Sequence, residues 1–128
     1  MKRLIVLISA SCFLSIVPYT QVTADAEEGK EFFKDVQGGN CRTCHSTKDT
    51  KLVGPGLGSV MLRHSEEWVR MFLTDPQKTW EMDHPETIEL KERVRGMKSK
   101  YTRCQKSTMT DQTKDNLIDF LKSITVNE

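Results

Sequence analysis

The chain has 128 residues, with 19 basic and 18 acidic side chains and a formal net charge of +1 at pH 7. This balance gives no basis for nucleic-acid binding, which relies on a strongly basic surface. The first 24 residues have the pattern of a secretory signal peptide, with a basic start, an apolar run and small residues ending at Ala24. We therefore predict an exported protein with a signal peptide at 1–24 and a single domain at 25–128.

The apolar run at 4–17 is short and interrupted by serines, so we predict no membrane span in the mature chain; a retained anchor is the alternative. The mature chain would have 128 − 24 = 104 residues, enough for one small domain. It keeps Cys41, Cys44 and Cys104. In an oxidising compartment, three cysteines leave one thiol without a disulfide partner, which calls for another explanation.

We predict an all-α fold of four or so helices for the mature chain. Apolar residues recur at helical spacing, and no segment shows the alternation of apolar and polar residues that is typical of a strand. Each predicted helix has an apolar stripe, with a capping residue or an acidic first turn at its start. The predicted helices are 26–36, 65–75, 85–95 and 110–124.

Between the first two predicted helices lies Cys41–His45, with the sequence C-x-x-C-H. This spacing is the attachment signature of c-type haem, because each thiol can add to one porphyrin vinyl group and the imidazole can then ligate the iron. We predict one covalent haem c, anchored by Cys41 and Cys44, with His45 as an axial ligand. Two alternatives are a redox dithiol, although no βαβ context is visible, and a structural zinc site, although a histidine directly after a cysteine is not the usual spacing. The zinc grouping would be Cys41, Cys44, His45 and Cys104.

A turn-forming segment follows at 51–57, where Gly54 and Gly56 flank Pro55. The Pro55 carbonyl can accept the Nδ1–H of His45, which would fix the ring and strengthen the imidazole as a donor. A plain surface turn is the alternative, and the spacing alone leaves both open.

Taken in this order, these segments resemble the class I cytochrome c family. The resemblance covers nearly the whole mature chain and is carried by GKEFF (29–33), CRTCH (41–45), GPGL (54–57), SEEWVRMFLTDP (65–76) and LIDFL (117–121). It implies that Gly29 and Phe33 cross the last helix near Phe120, and that the carbonyl of Pro55 accepts from His45. It also implies an electron carrier with a redox partner protein. We expect no enzymatic activity, because no acid–base group is identified beside an open iron position.

The second axial ligand departs from the family pattern. The family usually supplies a methionine from the loop before the last helix, and counting back from that helix places this position near Cys104. Met109 falls just before the helix cap, where an apolar contact with the core is expected. We therefore predict Cys104 as the distal ligand, with Met109 as the alternative. Weaker alternatives are Met97, His84, His64 and an open distal site.

A thiolate ligand stabilises Fe(III), so we predict low-potential electron transfer. One alternative is a haem protein that binds or senses NO or CO, with the distal cysteine displaced on reduction; another is an ordinary His/Met shuttle. The chain is also similar in size and plan to the subunits of the His/Cys-ligated heterodimeric haem c complex of anammox bacteria. That similarity implies a second small cytochrome c as partner. It also implies a location in the anammoxosome lumen, whereas the general expectation for an exported protein is the periplasm.

Other side chains have weaker assignments. We expect Trp68, Met71 and Phe72 to pack in the core, and His64 and His84 to lie at the surface or at helix caps. Trp80 is less obviously a core residue, and its indole N–H could reach a haem propionate. A basic run could dock an acidic redox partner or simply be solvated; it comprises Lys91, Arg93, Arg95, Lys98, Lys100 and Arg103.

Overall fold

Helices form all the regular structure in the part of the chain that the computed structural model describes, which is 24–95, 100, 102, 104 and 108–125. The predicted signal peptide lies outside these residues except for Ala24, as do Met97, Lys98 and Arg103. The elements are α1 (Ala26–Lys34), a 3₁₀ turn (Cys41–Thr43), α2 (Val60–Arg63), α3 (Glu66–Thr74), α4 (Pro76–Glu81), α5 (Pro85–Arg93) and α6 (Asp111–Thr125). The all-α prediction is confirmed.

The four predicted helices correspond to α1, α3, α5 and α6, and two short helices, α2 and α4, were not predicted. The predicted caps are present: the Ser65 hydroxyl accepts from the Trp68 amide, and the Thr110 hydroxyl accepts from the Thr113 amide. Helix α4 was missed because Asp75 has two roles. It ends α3, and its carboxylate then caps α4 by accepting from the Lys78 amide at 3.0 Å.

The terminal helices α1 and α6 cross in direct backbone contact. A Cβ added at Gly29 would lie 2.0 Å from the Asn116 carbonyl oxygen, so only glycine allows this approach. The rings of Phe33 and Phe120 pack beside the crossing, with centroids 5.5 Å apart. Asn116 also accepts from the Asp25 amide at 2.8 Å and thereby holds the start of α1. The crossing that the resemblance implied is present.

Within the described residues, two apolar clusters form the core. The smaller consists of Phe33, Leu117 and Phe120, and the larger is built around Trp68, Trp80 and Ile118. Trp80 is only 5% exposed, so the expectation that it is less obviously a core residue is wrong. It is buried where α4 packs on α3, in a cluster that also contains Val69 and Leu90.

His64 is the C-cap of α2, but it is buried and is not a surface residue. Its ring stacks on Trp68 with centroids 4.2 Å apart. Its two ring nitrogens lie 3.4 Å from a Glu86 oxygen and 3.3 Å from a Glu89 oxygen, and an Arg93 nitrogen lies 3.2 Å from Nε2. Burial lowers the pKa of His64. His84 caps α5, as expected, by accepting from the Glu86 amide.

Among the residues described, no helix is long and apolar enough to cross a membrane.

Candidate haem site

The C-x-x-C-H residues lie in and just after the 3₁₀ turn. Asn40 enters it with a left-handed backbone (φ 47°), a conformation that asparagine tolerates better than most residues. The amides of Cys44 and His45 then both donate to the Cys41 carbonyl, at 3.1 and 2.8 Å. This local bonding brings both thiols and the imidazole into one tight turn. Cys41 and Cys44 are free cysteines and are half-buried.

The imidazole of His45 is held in one orientation. Its Nδ1 lies 2.8 Å from the Pro55 carbonyl oxygen, and because a carbonyl can only accept, Nδ1 must donate. In the neutral ring this leaves the Nε2 lone pair for a metal ion. The Gly54 backbone lies against the same ring: a Cβ there would be 2.6 Å from Cε1 and 2.9 Å from Nδ1. The hydrogen bond implied by the resemblance is therefore present.

The segment that carries Pro55 is fixed to the C-x-x-C-H turn by backbone hydrogen bonds. The Gly54 amide donates to the Cys44 carbonyl at 2.8 Å, and the Leu57 amide donates to the Ser46 carbonyl at 2.9 Å. Gly56 packs equally closely, since a Cβ there would lie 2.3 Å from the Lys48 carbonyl oxygen. Because these bonds flank Pro55, the position of its carbonyl is determined by the backbone.

The third thiol, Cys104, lies within electrostatic range of the other two. Burial raises the pKa of Cys41 to about 11, and the neighbouring Cys104 thiol is the next cause. Burial of the thiol is also the main cause that raises the pKa of Cys104, and the nearby Cys44 thiol raises it further. The residue as a whole is nevertheless exposed. Such mutual effects fall off with distance, so the tertiary structure brings together thiols that are 60 positions apart in sequence.

Met109 occupies a different environment. It is half-buried and packs against the Phe33, Leu117 and Phe120 cluster, which Cys41 also contacts. Its position just before Thr110, the cap of α6, gives it the apolar contact expected there. Of the weaker ligand candidates, His84 caps α5, His64 is buried against Trp68, and Met97 lies outside the described residues.

These residues fit a covalent haem. Two thiols at the attachment spacing stand beside an imidazole whose Nε2 is available, and Cys41 borders an apolar cluster that can contact a porphyrin face. Among the described side chains, no group of three or more His, Cys, Asp or Glu is placed to hold a metal ion. The zinc grouping considered from the sequence is not found there, whereas a haem iron needs only one protein ligand on each face.

Sequence reasoning missed Gln77, a residue of α4 that contacts the segment carrying Cys104. Its side-chain amide donates to the Lys100 carbonyl at 3.0 Å and accepts from the Thr102 amide at 3.1 Å. The Thr102 hydroxyl in turn accepts from the Cys104 amide at 3.2 Å. No sequence signal could have revealed these bonds, because a side chain that bonds to a distant backbone leaves no periodic pattern.

A protein-family model described as Cytochrome c matches residues 26–125, which is 100 of the 128 residues. The chain belongs to the cytochrome c family. Cytochromes c carry a covalently attached haem c whose iron exchanges electrons with a redox partner, and Cys41 and Cys44 fit the attachment positions. No significant match was found among curated proteins or among solved structures.

Proposed function

We propose that this cytochrome c is an exported, single-haem electron carrier in which Cys41 and Cys44 hold the haem and the iron has His45 and Cys104 as its axial ligands. The observation that carries this proposal is that Met109, the alternative ligand, packs beside Phe33, Leu117 and Phe120, whereas Cys104 is an exposed free thiol that interacts electrostatically with the C-x-x-C pair. It accounts for the odd cysteine of the mature chain.

The chemistry of the two axial ligands then determines the reduction potential at which the carrier works. A thiolate is an anionic, strongly donating ligand that favours Fe(III), whereas a methionine thioether raises the reduction potential. A His45/Cys104 pair therefore gives a low-potential carrier. The hydrogen bond that His45 donates to the Pro55 carbonyl adds to this effect, because it makes the imidazole a stronger ligand to the iron.

A second candidate function is binding or sensing of NO or CO by the reduced iron. The exposure of Cys104 favours it, because a ligand at the surface can be displaced without opening the core. Thiolate binding also weakens on reduction, since the iron then carries less positive charge. A His/Met shuttle that uses Met109 is the third arrangement to test.

Export, location and partner are part of the same proposal. The basic and apolar pattern of residues 1–24 supports export, and the periplasm or an anammoxosome lumen would supply the oxidising compartment. A second small cytochrome c is a suitable partner. Exposed apolar side chains on the segments flanking the C-x-x-C-H turn support a protein contact there; these are Val36, Leu52 and Val53.

The deciding experiment compares absorption and EPR spectra of the ferric and dithionite-reduced holoprotein with those of two variants. Cys104→Ser should lose the low-spin ferric spectrum and raise the reduction potential. Met109→Leu keeps the apolar volume and should leave both unchanged. The opposite result would assign the ligand to Met109. CO and NO are then added to the reduced wild type, and an unchanged spectrum would leave electron transfer as the function.

A further inference from the structure

The segment that carries Cys104 is attached to α4 through the side chain of Gln77. The two partners of that side chain, the Lys100 carbonyl and the Thr102 amide, are 23 and 25 positions away in sequence. A primary amide has a donor and an acceptor side by side, so it can pair with the C=O and N–H of a passing backbone much as a neighbouring strand would. Gln77 therefore fixes both the distance and the register of this segment.

The attachment continues to the ligand candidate itself. Thr102, whose amide donates to Gln77, uses its hydroxyl to accept from the Cys104 amide at 3.2 Å. The amide of Gln77 is also oriented from within α4, where its nitrogen donates to a Glu81 oxygen at 2.7 Å. A continuous series of hydrogen bonds thus runs from α4 to the backbone of Cys104.

We propose that Gln77 is a positioning residue for the distal ligand, and that it sets how firmly Cys104 stays on the iron. The proposal rests on Cys104 being that ligand. A ligand on a loop must be ordered each time it binds, and a loop held in the bound position in advance loses less conformational entropy on binding. Without Gln77, the Cys104 segment has more freedom, and outside ligands compete better for the iron.

The experiment uses the ferric holoprotein and cyanide as the competing ligand. Gln77→Leu keeps the size of the side chain and removes its two hydrogen bonds to the Cys104 segment, along with the one to Glu81. Cyanide should then bind about tenfold more tightly, as expected for the loss of the two bonds that hold the segment. Gln77→Glu keeps an acceptor for Thr102 but loses the donor to Lys100, and should have an intermediate effect. Lys78→Leu, on the adjacent exposed position of α4, controls for the new leucine and should bind cyanide like the wild type.

A double variant separates positioning from general loosening of the fold. If Gln77 acts through Cys104, then Gln77→Leu should have no further effect on cyanide affinity in a Cys104→Ser background. An equal gain in both backgrounds overturns the proposal, as does wild-type cyanide affinity in Gln77→Leu when Cys104→Ser has changed the ferric spectrum. If Cys104→Ser itself leaves that spectrum unchanged, the ligand assignment fails first and the role of Gln77 fails with it.

Discussion

The two segments that would face the haem iron are held by different means. The proximal segment, 41–57, is held by its own backbone: Gly54 donates to Cys44, Leu57 donates to Ser46, and Pro55 accepts from His45. The distal segment, 100–109, is held at Thr102 by a side chain from α4. The proximal geometry is therefore determined by bonds between residues close in sequence, whereas the distal geometry depends on a helix more than 20 positions away.

The largest effect should follow from breaking the proximal segment with Gly54→Ala. The new Cβ would lie 2.6 Å from the His45 ring, which the Pro55 hydrogen bond holds in place. Because neither the ring nor the backbone can move without breaking its hydrogen bonds, we expect a loss of about 1–3 kcal/mol in the free energy of unfolding. Denaturant unfolding of the holoprotein measures this loss.

Gly38→Ala is the matched control for this substitution. Its Cβ would come closest to the side chains of Asp35 and Phe32, which can move aside, so the change should stay below about 1 kcal/mol. Equal losses in the two variants would show that the contact of Gly54 with His45 is not what makes that position sensitive.

An intermediate effect on stability is expected from a change of pH, through a buried histidine that lies outside both of these segments. Burial lowers the pKa of His64 below the ordinary value of 6.5, so as the pH falls below 6.5 the unfolded chain takes up a proton that the folded chain does not. Stability is therefore fully present above pH 6.5 and falls as the pH drops towards the folded pKa, by up to about 1.4 kcal/mol per pH unit.

His64→Phe provides the test, because it keeps an aromatic ring against Trp68 and removes the titrating group. The slope of stability just below pH 6.5 should become shallower in this variant, while the ferric absorption spectrum of the wild type should stay constant over the same window. The Glu86 pKa is also lowered from its ordinary value of 4.5, so its contribution is lost only at lower pH. An unchanged slope in His64→Phe would assign the pH dependence to other groups.

The smallest effect should come from Thr102→Val in the distal segment. Valine keeps the shape of threonine and removes the hydroxyl that accepts from the Cys104 amide. Because this hydrogen bond is exposed, we expect about a threefold gain in cyanide affinity, equivalent to roughly 0.6 kcal/mol. Thr108→Val, an exposed threonine on the same segment, is the control and should bind cyanide like the wild type.

Much of the fold could be predicted because its signals are local. Caps such as Ser65 and Thr110 bond to amides three residues away, and apolar stripes indicate which face of each helix is buried. Both signals lie within the helix itself, so α1, α3, α5 and α6 were all expected. Helix α2 has only four residues, too short for a periodic signal, and α4 begins at the residue that ends α3. Trp80 was misjudged because burial depends on which helices pack over a residue. His64 is at a helix cap, as expected, but the same packing buries it.

The sequence by itself determined the cofactor of this protein and the local geometry around His45. The spacing of Cys41, Cys44 and His45 and the nearby Gly54–Pro55 pair act over a few residues, so their chemistry can be recognised in the linear chain. Only the tertiary structure brought Cys104 near those thiols and placed Gln77 beside its segment. The physical reason is the sequence separation over which the interactions act. Covalent spacing and backbone turns involve neighbouring residues, whereas the position of a side chain on a loop depends on contacts with distant parts of the chain.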